Sequence, residues 1–158
     1  MLSSKKVMDG IRFDRLSSIY RFYNLVSEVI GEFKHKDIEC MPYNVPRAFG
    51  EHWTGRCFRM KKKGKEDFIW PVFGISYIDD PPVIYISFDK NWCDPVYKKY
   101  KCRTKKSAPF TAIHEDKEIR FELRPEKFDE FSKLPLSKQK TLLAGFLKAA
   151  ADEVSSCL

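Results

Sequence analysis

The chain has 158 residues, a formal net charge of +7, 43% hydrophobic residues and 15% aromatic residues. A chain of this length has the size of one domain and can bury roughly 70% of the surface it exposes when unfolded. These figures point away from a tandem multidomain enzyme, from a disulfide-dependent miniprotein and, given the apolar content, from intrinsic disorder.

The opening Met1-Leu2-Ser3-Ser4-Lys5-Lys6-Val7 has no apolar core of the kind a secretory signal needs. No apolar run approaches the ~18 residues of a membrane span. The five cysteines (Cys40, Cys57, Cys93, Cys102, Cys157) are odd in number and irregularly spaced. They read as reduced, mostly buried thiols of a cytoplasmic protein that makes no membrane contact. Without repeats or linkers, residues 1–158 are expected to form a single domain, with 1–13 a polar, mobile N-terminal segment.

Asp14 is placed to cap a helix reaching about Phe33, because Leu16, Ile19, Tyr20, Tyr23, Val26, Ile30 and Phe33 recur at three- and four-residue steps. From residue 38 the pattern changes. Pro42, Pro46 and Gly50 suggest an extended edge segment and loop rather than a clean strand. His52 to Lys62 and Asp67 to Ile78, joined by Lys63-Gly64-Lys65-Glu66, have the signature of a hairpin. In the second run Phe68, Trp70 and Val72 form one apolar set and Ile69, Phe73, Ile75 and Tyr77 the other, as in a central strand covered on both faces. Pro71 cannot donate to the ladder, so a bulge or an unpaired edge is expected there.

Asp79-Asp80-Pro81-Pro82 turns the chain into a strand from Val83 to Phe88, followed by a basic loop. Phe110 to His114 and Glu118 to Leu123 form a further hairpin; in its second arm Ile119, Phe121 and Leu123 point inward and the charged residues outward. Pro125 opens a short helix to about Lys133. Ser137 is placed to cap a long helix with the stripe Leu142, Leu143, Phe146, Leu147, Ala150, Ala151, Val154 and Cys157. The fold class is therefore α+β: an antiparallel meander of about four to six strands flanked by an N-terminal helix and two C-terminal helices.

The functional signal is the location of charge. Six of the ten residues from 56 to 65 are basic (Arg56, Arg59, Lys61, Lys62, Lys63, Lys65), as are six of the nine from 98 to 106 (Lys98, Lys99, Lys101, Arg103, Lys105, Lys106). Residues 51–108 hold 13 basic and 7 acidic residues, so +6 of the net +7 resides in the middle of the chain. If the hairpin tip and the loop coincide in space, the runs form one patch for an acidic partner, either nucleic acid or an acidic protein surface. Trp53, Trp92, Tyr97 and Tyr100 lie among these charges, where they can stack on bases. The competing explanation is that lysine-rich tips only keep sheet edges apart.

His52 and His114, each next to carboxylates, with Asp79 and Asp80, are the candidates for acid–base or metal-assisted chemistry. The acidic residues fail the spacing of a metal-dependent nuclease, since Asp89 and the adjacent Lys90 point to opposite faces of a strand. No closed cysteine metal site is spelled out, although Cys93 beside lysines is a candidate thiolate. Trp53, Trp70, Tyr77, Tyr85 and Trp92 offer a surface on the sheet face away from the helices, which a homodimer or a protein partner would cover.

The sequence therefore suggests a non-catalytic binding protein, without cofactor or metal, that uses a basic surface as a regulator or inhibitor of a nucleic-acid-handling complex. The alternative is a metal-dependent phosphodiesterase, nuclease-like and degenerate.

Overall fold

The computed structural model describes residues 13–43, 53–78, 81–102 and 109–158. The fold is α+β. The helices are α1 (Phe13–Gly31), α2 (Asp94–Lys99), α3 (Pro125–Lys133) and α4 (Leu136–Val154). The strands are β1 (Ile38–Pro42), β2 (Trp53–Lys62), β3 (Val72–Ser76), β4 (Val83–Asp89), β5 (Phe110–His114) and β6 (Glu118–Leu123). All six pair antiparallel in the order β1-β2-β3-β4-β6-β5. The first four form a meander. The β4–β5 link carries α2 to the far edge, and β6 then returns between β4 and β5.

Register assigns each side chain to a face. Phe58 and Met60 of β2 lie on the side of Phe73 and Ile75 of β3, Ile84, Ile86 and Phe88 of β4, and Ile119, Phe121 and Leu123 of β6. All of these are buried. The helices pack on this face: Phe146 of α4 meets Phe73 edge-on at 5.7 Å, and Tyr100 after α2 meets Phe121 at 5.3 Å. Phe22 of α1 meets Phe131 of α3 at 6.4 Å. Edge-to-face pairs add about 0.5–1.5 kcal/mol each beyond the area they bury. No described helix covers the opposite face.

Several local expectations need correction. Asp14 lies within α1, so it is not a cap, and the buried stripe of α1 is Phe22, Leu25, Val26, Val29 and Ile30, while Tyr20 is 67% exposed. The helix is wedged between sheet and α4, which turns a different flank inward. Pro135, not Ser137, precedes the first turn of α4. The basic loop contains α2, whose six residues are too few to show a periodic stripe but which does start on Asp94-Pro95. At Pro71 the ladder keeps its register: Phe58 N–H donates to the Pro71 carbonyl at 3.0 Å, and Met60 and Ile69 exchange both bonds just beyond. The proline costs one hydrogen bond and introduces no bulge. The N-terminal segment expected to be mobile lies outside the described residues, save for Phe13, which is helical.

The five cysteines are free; Cys40, Cys93 and Cys157 are buried, Cys57 is half-buried and Cys102 exposed. No described helix is long and apolar enough to cross a membrane.

His35 ties the two ends of the chain together. Its Nδ1 accepts the backbone N–H groups of Asp37 and Ile38, both at 3.1 Å, which leaves the ring proton on Nε2. Nε2 donates to Asp152 Oδ1 of α4 at 2.8 Å. The His35 side chain is only 2% exposed, so loss of that acceptor strands a buried donor. Lys148 and then His35 hold the Asp152 carboxyl below its ordinary value of 3.8. A carboxyl depressed by folding stabilises the fold above the unfolded-state value, and that contribution is lost as the pH falls through the folded one. Asp152→Ala is therefore expected to cost about 1–2 kcal/mol at neutral pH. Asp152→Asn, which keeps an acceptor, should cost less, and both differences should shrink below pH 3.8; urea titrations across pH read this directly.

Two glycine sites have opposite signs. Gly55 faces Gly74 across β2–β3, where a Cβ on Gly74 would stand 2.6 Å from the Thr54 carbonyl oxygen and 3.0 Å from Tyr85 Oη. Gly145, inside α4, meets nothing within 4 Å. Gly74→Ala should destabilise by about 1–3 kcal/mol through overpacking, whereas Gly145→Ala should stabilise by about 0.5–1 kcal/mol through helix propensity. Thermal midpoints moving in opposite directions would bear this out.

Candidate functional site

β2 ends at Lys62 and turns at Gly64, whose φ of 78° places it in the left-handed region that glycine reaches without strain. Lys65 N–H closes the turn on the Lys62 carbonyl at 3.1 Å. The returning segment presents Asp67, Phe68 and Trp70 before β3 begins. On the adjoining strand, β4 ends at Asp89, whose Oδ1 accepts the Asn91 N–H at 2.7 Å. The Asp89 carbonyl accepts the N–H groups of Trp92, at 3.2 Å, and Cys93, at 2.7 Å. This tight turn leads into α2, and the Trp70 N–H donates to the Trp92 carbonyl at 3.1 Å, joining the two segments.

Between them lies a groove of about 440 Å³ lined by Lys62, Lys65, Asp67, Phe68, Ile69, Trp70, Asn91, Trp92, Asp94, Pro95, Lys99, Cys157 and Leu158. Lysines from both basic runs of the sequence thus meet at one site. The Trp92 indole is 65% exposed while its neighbour Cys93 is fully buried, so the ring is held outward by a fixed backbone. Lys99 Nζ donates to the Cys157 carbonyl at 3.2 Å, and Lys98 pairs with Asp94 at 3.0 Å.

Phe68 and Trp70 connect the groove to the sheet face opposite the described helices. There the Arg59 guanidinium lies 5.2 Å from the Phe68 ring centroid, 5.9 Å from that of Tyr43 and 6.0 Å from that of Trp70. Lys61 stands 5.0 Å from the Phe68 centroid and pairs with Glu39 at 3.3 Å. Cations over aromatic faces contribute about 0.5–1 kcal/mol at exposed sites and more when desolvated. Trp53 also belongs to this face, opposite Ser76 at the other end of β2.

Other candidates lie elsewhere. Arg56 is on the helix-covered face, 4.8 Å over the Tyr23 ring and hydrogen-bonded to its hydroxyl, so it braces α1 against the sheet and is removed from the patch. Tyr100 is buried against Phe121, with its hydroxyl on Glu153 at 3.2 Å, and cannot stack on a ligand. Tyr97 donates to the backbone carbonyl of Asp116 at 2.9 Å and packs edge-on to His114, an arrangement that fastens α2 to the β5–β6 turn. Lys63 and Lys101 are exposed. Arg103, Lys105 and Lys106 lie outside the described residues.

His52, Asp79 and Asp80 also lie outside the described residues, and His114 is exposed at the end of β5. On β6, Arg120 sits within 2.8 Å of Glu122 and 3.6 Å of Glu118, so those acids hold an ion-pair network; Glu118 also accepts from the Ser87 hydroxyl. Among the described residues, no three of His, Cys, Asp and Glu converge as a metal site would require. Burial drives the Cys93 thiol far above its ordinary range, which removes it as a reactive thiolate.

Sequence reasoning missed Asp67, Phe68, Asn91 and Asp94 as groove residues, and placed Trp70 in an aromatic surface on the sheet face rather than in a groove. Two local signals point to that wall: Asp89 two residues before Asn91, the spacing of an Asx turn, and Asp94-Pro95, a helix start. No family model, no curated protein and no solved structure matches this chain.

The geometry separates two tryptophans of the groove. Trp92 contributes little packing, so Trp92→Ala should change unfolding free energy by no more than about 0.5 kcal/mol. Trp70, which meets Tyr43 edge-on at 4.6 Å and lies under Arg59, should cost about 2–3 kcal/mol when truncated. Denaturant titrations of the two variants check the contrast.

Proposed function

We propose that this chain is a non-catalytic binding protein that engages an acidic macromolecule through the groove between the 62–70 segment and the 89–99 segment. Occupancy of that site would regulate or inhibit a nucleic-acid-handling complex, either by holding its nucleic acid or by masking an acidic protein face. The observation that carries this reading is the convergence of Lys62, Lys65 and Lys99, drawn from two separate basic runs, on one concave surface. Converging cations raise the local potential and steer anions toward the site. Arg59 and Lys61 extend the basic character onto the adjacent sheet face. A lysine-rich tip that served solubility alone would have no reason to meet a second basic segment around a recess.

The triple variant Lys62→Glu, Lys65→Glu, Lys99→Glu tests the reading, with Lys138→Glu as its control. Lys138 stands in the first turn of the 19-residue helix α4, about 24 Å by helix rise from the end that meets the groove. On phosphocellulose and in capture from host lysate at low salt, the triple variant should lose retention while the control behaves as wild type. Wild-type retention should fall steeply as salt rises. Retention of the triple variant equal to wild type at low salt would refute the groove as the anion site.

A further inference from the structure

We infer that the groove takes single-stranded nucleic acid, with a base stacked on Trp92 and backbone phosphates against Lys62, Lys65 and Lys99. This rests on the groove being an anion site and specifies which acidic partner it takes.

Three observations favour a nucleic acid strand over an acidic peptide. The first is the indole of Trp92, 65% exposed on a turn pinned by Asp89 and Trp70. A ring already held in place loses little freedom when a ligand arrives, and stacking on it accepts any base because every base has a π-face. An acidic peptide brings carboxylates but no flat ring to match. The second is that Asp67 and Asp94 share the groove with the lysines. Asp94 is already paired with Lys98 at 3.0 Å, but the Asp67 carboxylate can accept a hydrogen bond from the exocyclic amino group of adenine, cytosine or guanine, a donor that an ionised acidic side chain lacks. The third is size. A recess of about 440 Å³ falls in the roughly 300–1,000 Å³ range of small-ligand sites, which suits one or two nucleotides and not a double helix. Base faces inside a duplex are already stacked on their neighbours, so only an unpaired base can lie on Trp92.

The test measures binding of wild type, Trp92→Ala and Trp92→Phe to three probes by fluorescence anisotropy. The probes are a short mixed-sequence single-stranded oligonucleotide, the same sequence as a duplex, and poly-glutamate. The single strand should bind at least tenfold more tightly than the other two. Trp92→Ala should weaken that binding by about five- to a hundredfold, and Trp92→Phe should recover most of it, since a phenyl ring still stacks. If the single strand and poly-glutamate bind alike and Trp92→Ala changes neither, the groove is a general anion surface; the single-strand inference fails and the proposed function stands. If the duplex binds more tightly than the single strand and Trp92→Ala has no effect, the inference fails in the same way. If none of the three probes binds at low salt, the inference and the proposed function fall together.

Discussion

The β2–β3 register through Pro71 determines which residues the rest of the molecule has available. Cys57 pairs with Val72 and Met60 bridges to Ile69, so the same alignment holds on both sides of the proline. A strand shows alternate side chains to opposite faces, and a slip of one residue exchanges the two sets. With the register kept, Phe58, Met60, Ile69 and Phe73 go to the helix layer and are buried. Phe68 and Trp70 go to the other side, with Arg59 over both rings. A bulge at Pro71 would turn Phe68 and Trp70 into the core and leave the groove without its wall. The absent proline N–H is the minor cost, since Phe58 still donates to the Pro71 carbonyl.

The helix layer follows from the same assignment. Phe121 sits at the centre of the buried face, with Phe88, Tyr100 and Phe110 rings 5.4, 5.3 and 4.5 Å away. Tyr100 brings the end of α2 into this cluster, and Val96 of α2 is fully buried. The short helix is therefore anchored at its C-terminal side by the core and at its N-terminal side by the Asp89 turn. Trp92 and Lys99, at its two ends, inherit their positions from packing that neither of them makes. The 66-residue separation between Asn91 and Cys157 in sequence carries no such constraint by itself; the sheet order, with β6 inserted beside β4, is what brings α2 and the C-terminal end of α4 to the same rim.

Much of this was legible in the sequence because period and punctuation were clear. The alternation Ile119, Phe121, Leu123 reads directly as a one-sided strand, and the α4 stripe from Leu143 to Val154 is buried as its spacing requires. The rotation of α1 was not legible, because Phe22, Leu25 and Val29 compete with Tyr20 and Tyr23 on a helix apolar around much of its circumference, and only tertiary packing selects among them. At the site, the two lysine runs were legible from composition. Their sorting was not: Arg56 and Arg59, three residues apart on one strand, fall on opposite faces, and one becomes a brace for α1 while the other lies over Phe68. Tyr97 and Tyr100 likewise look like surface aromatics among lysines until the core claims Tyr100 and the β5–β6 turn claims the hydroxyl of Tyr97.

What distinguishes the groove from the rest of the charged surface is how its cations and rings are held. On the helix layer, Lys140 spans Glu28 of α1 and Glu32 just past its end, and Lys148 meets Asp152 on its own helix. Those contacts consolidate the helix layer, and their charges are matched one for one or better. At the rim the ratio reverses, with three lysines against Asp67 and Asp94, and the exposed Trp92 ring lies beside them. A single exposed aromatic is ordinary on a protein surface; what sets Trp92 apart is its place at the rim of a groove lined by lysines. Its turn is closely held, with Asp89 accepting from three successive N–H groups. A rigid backbone beneath a solvent-facing ring holds the indole in one place, which is the geometry that the proposed stacking of a base requires.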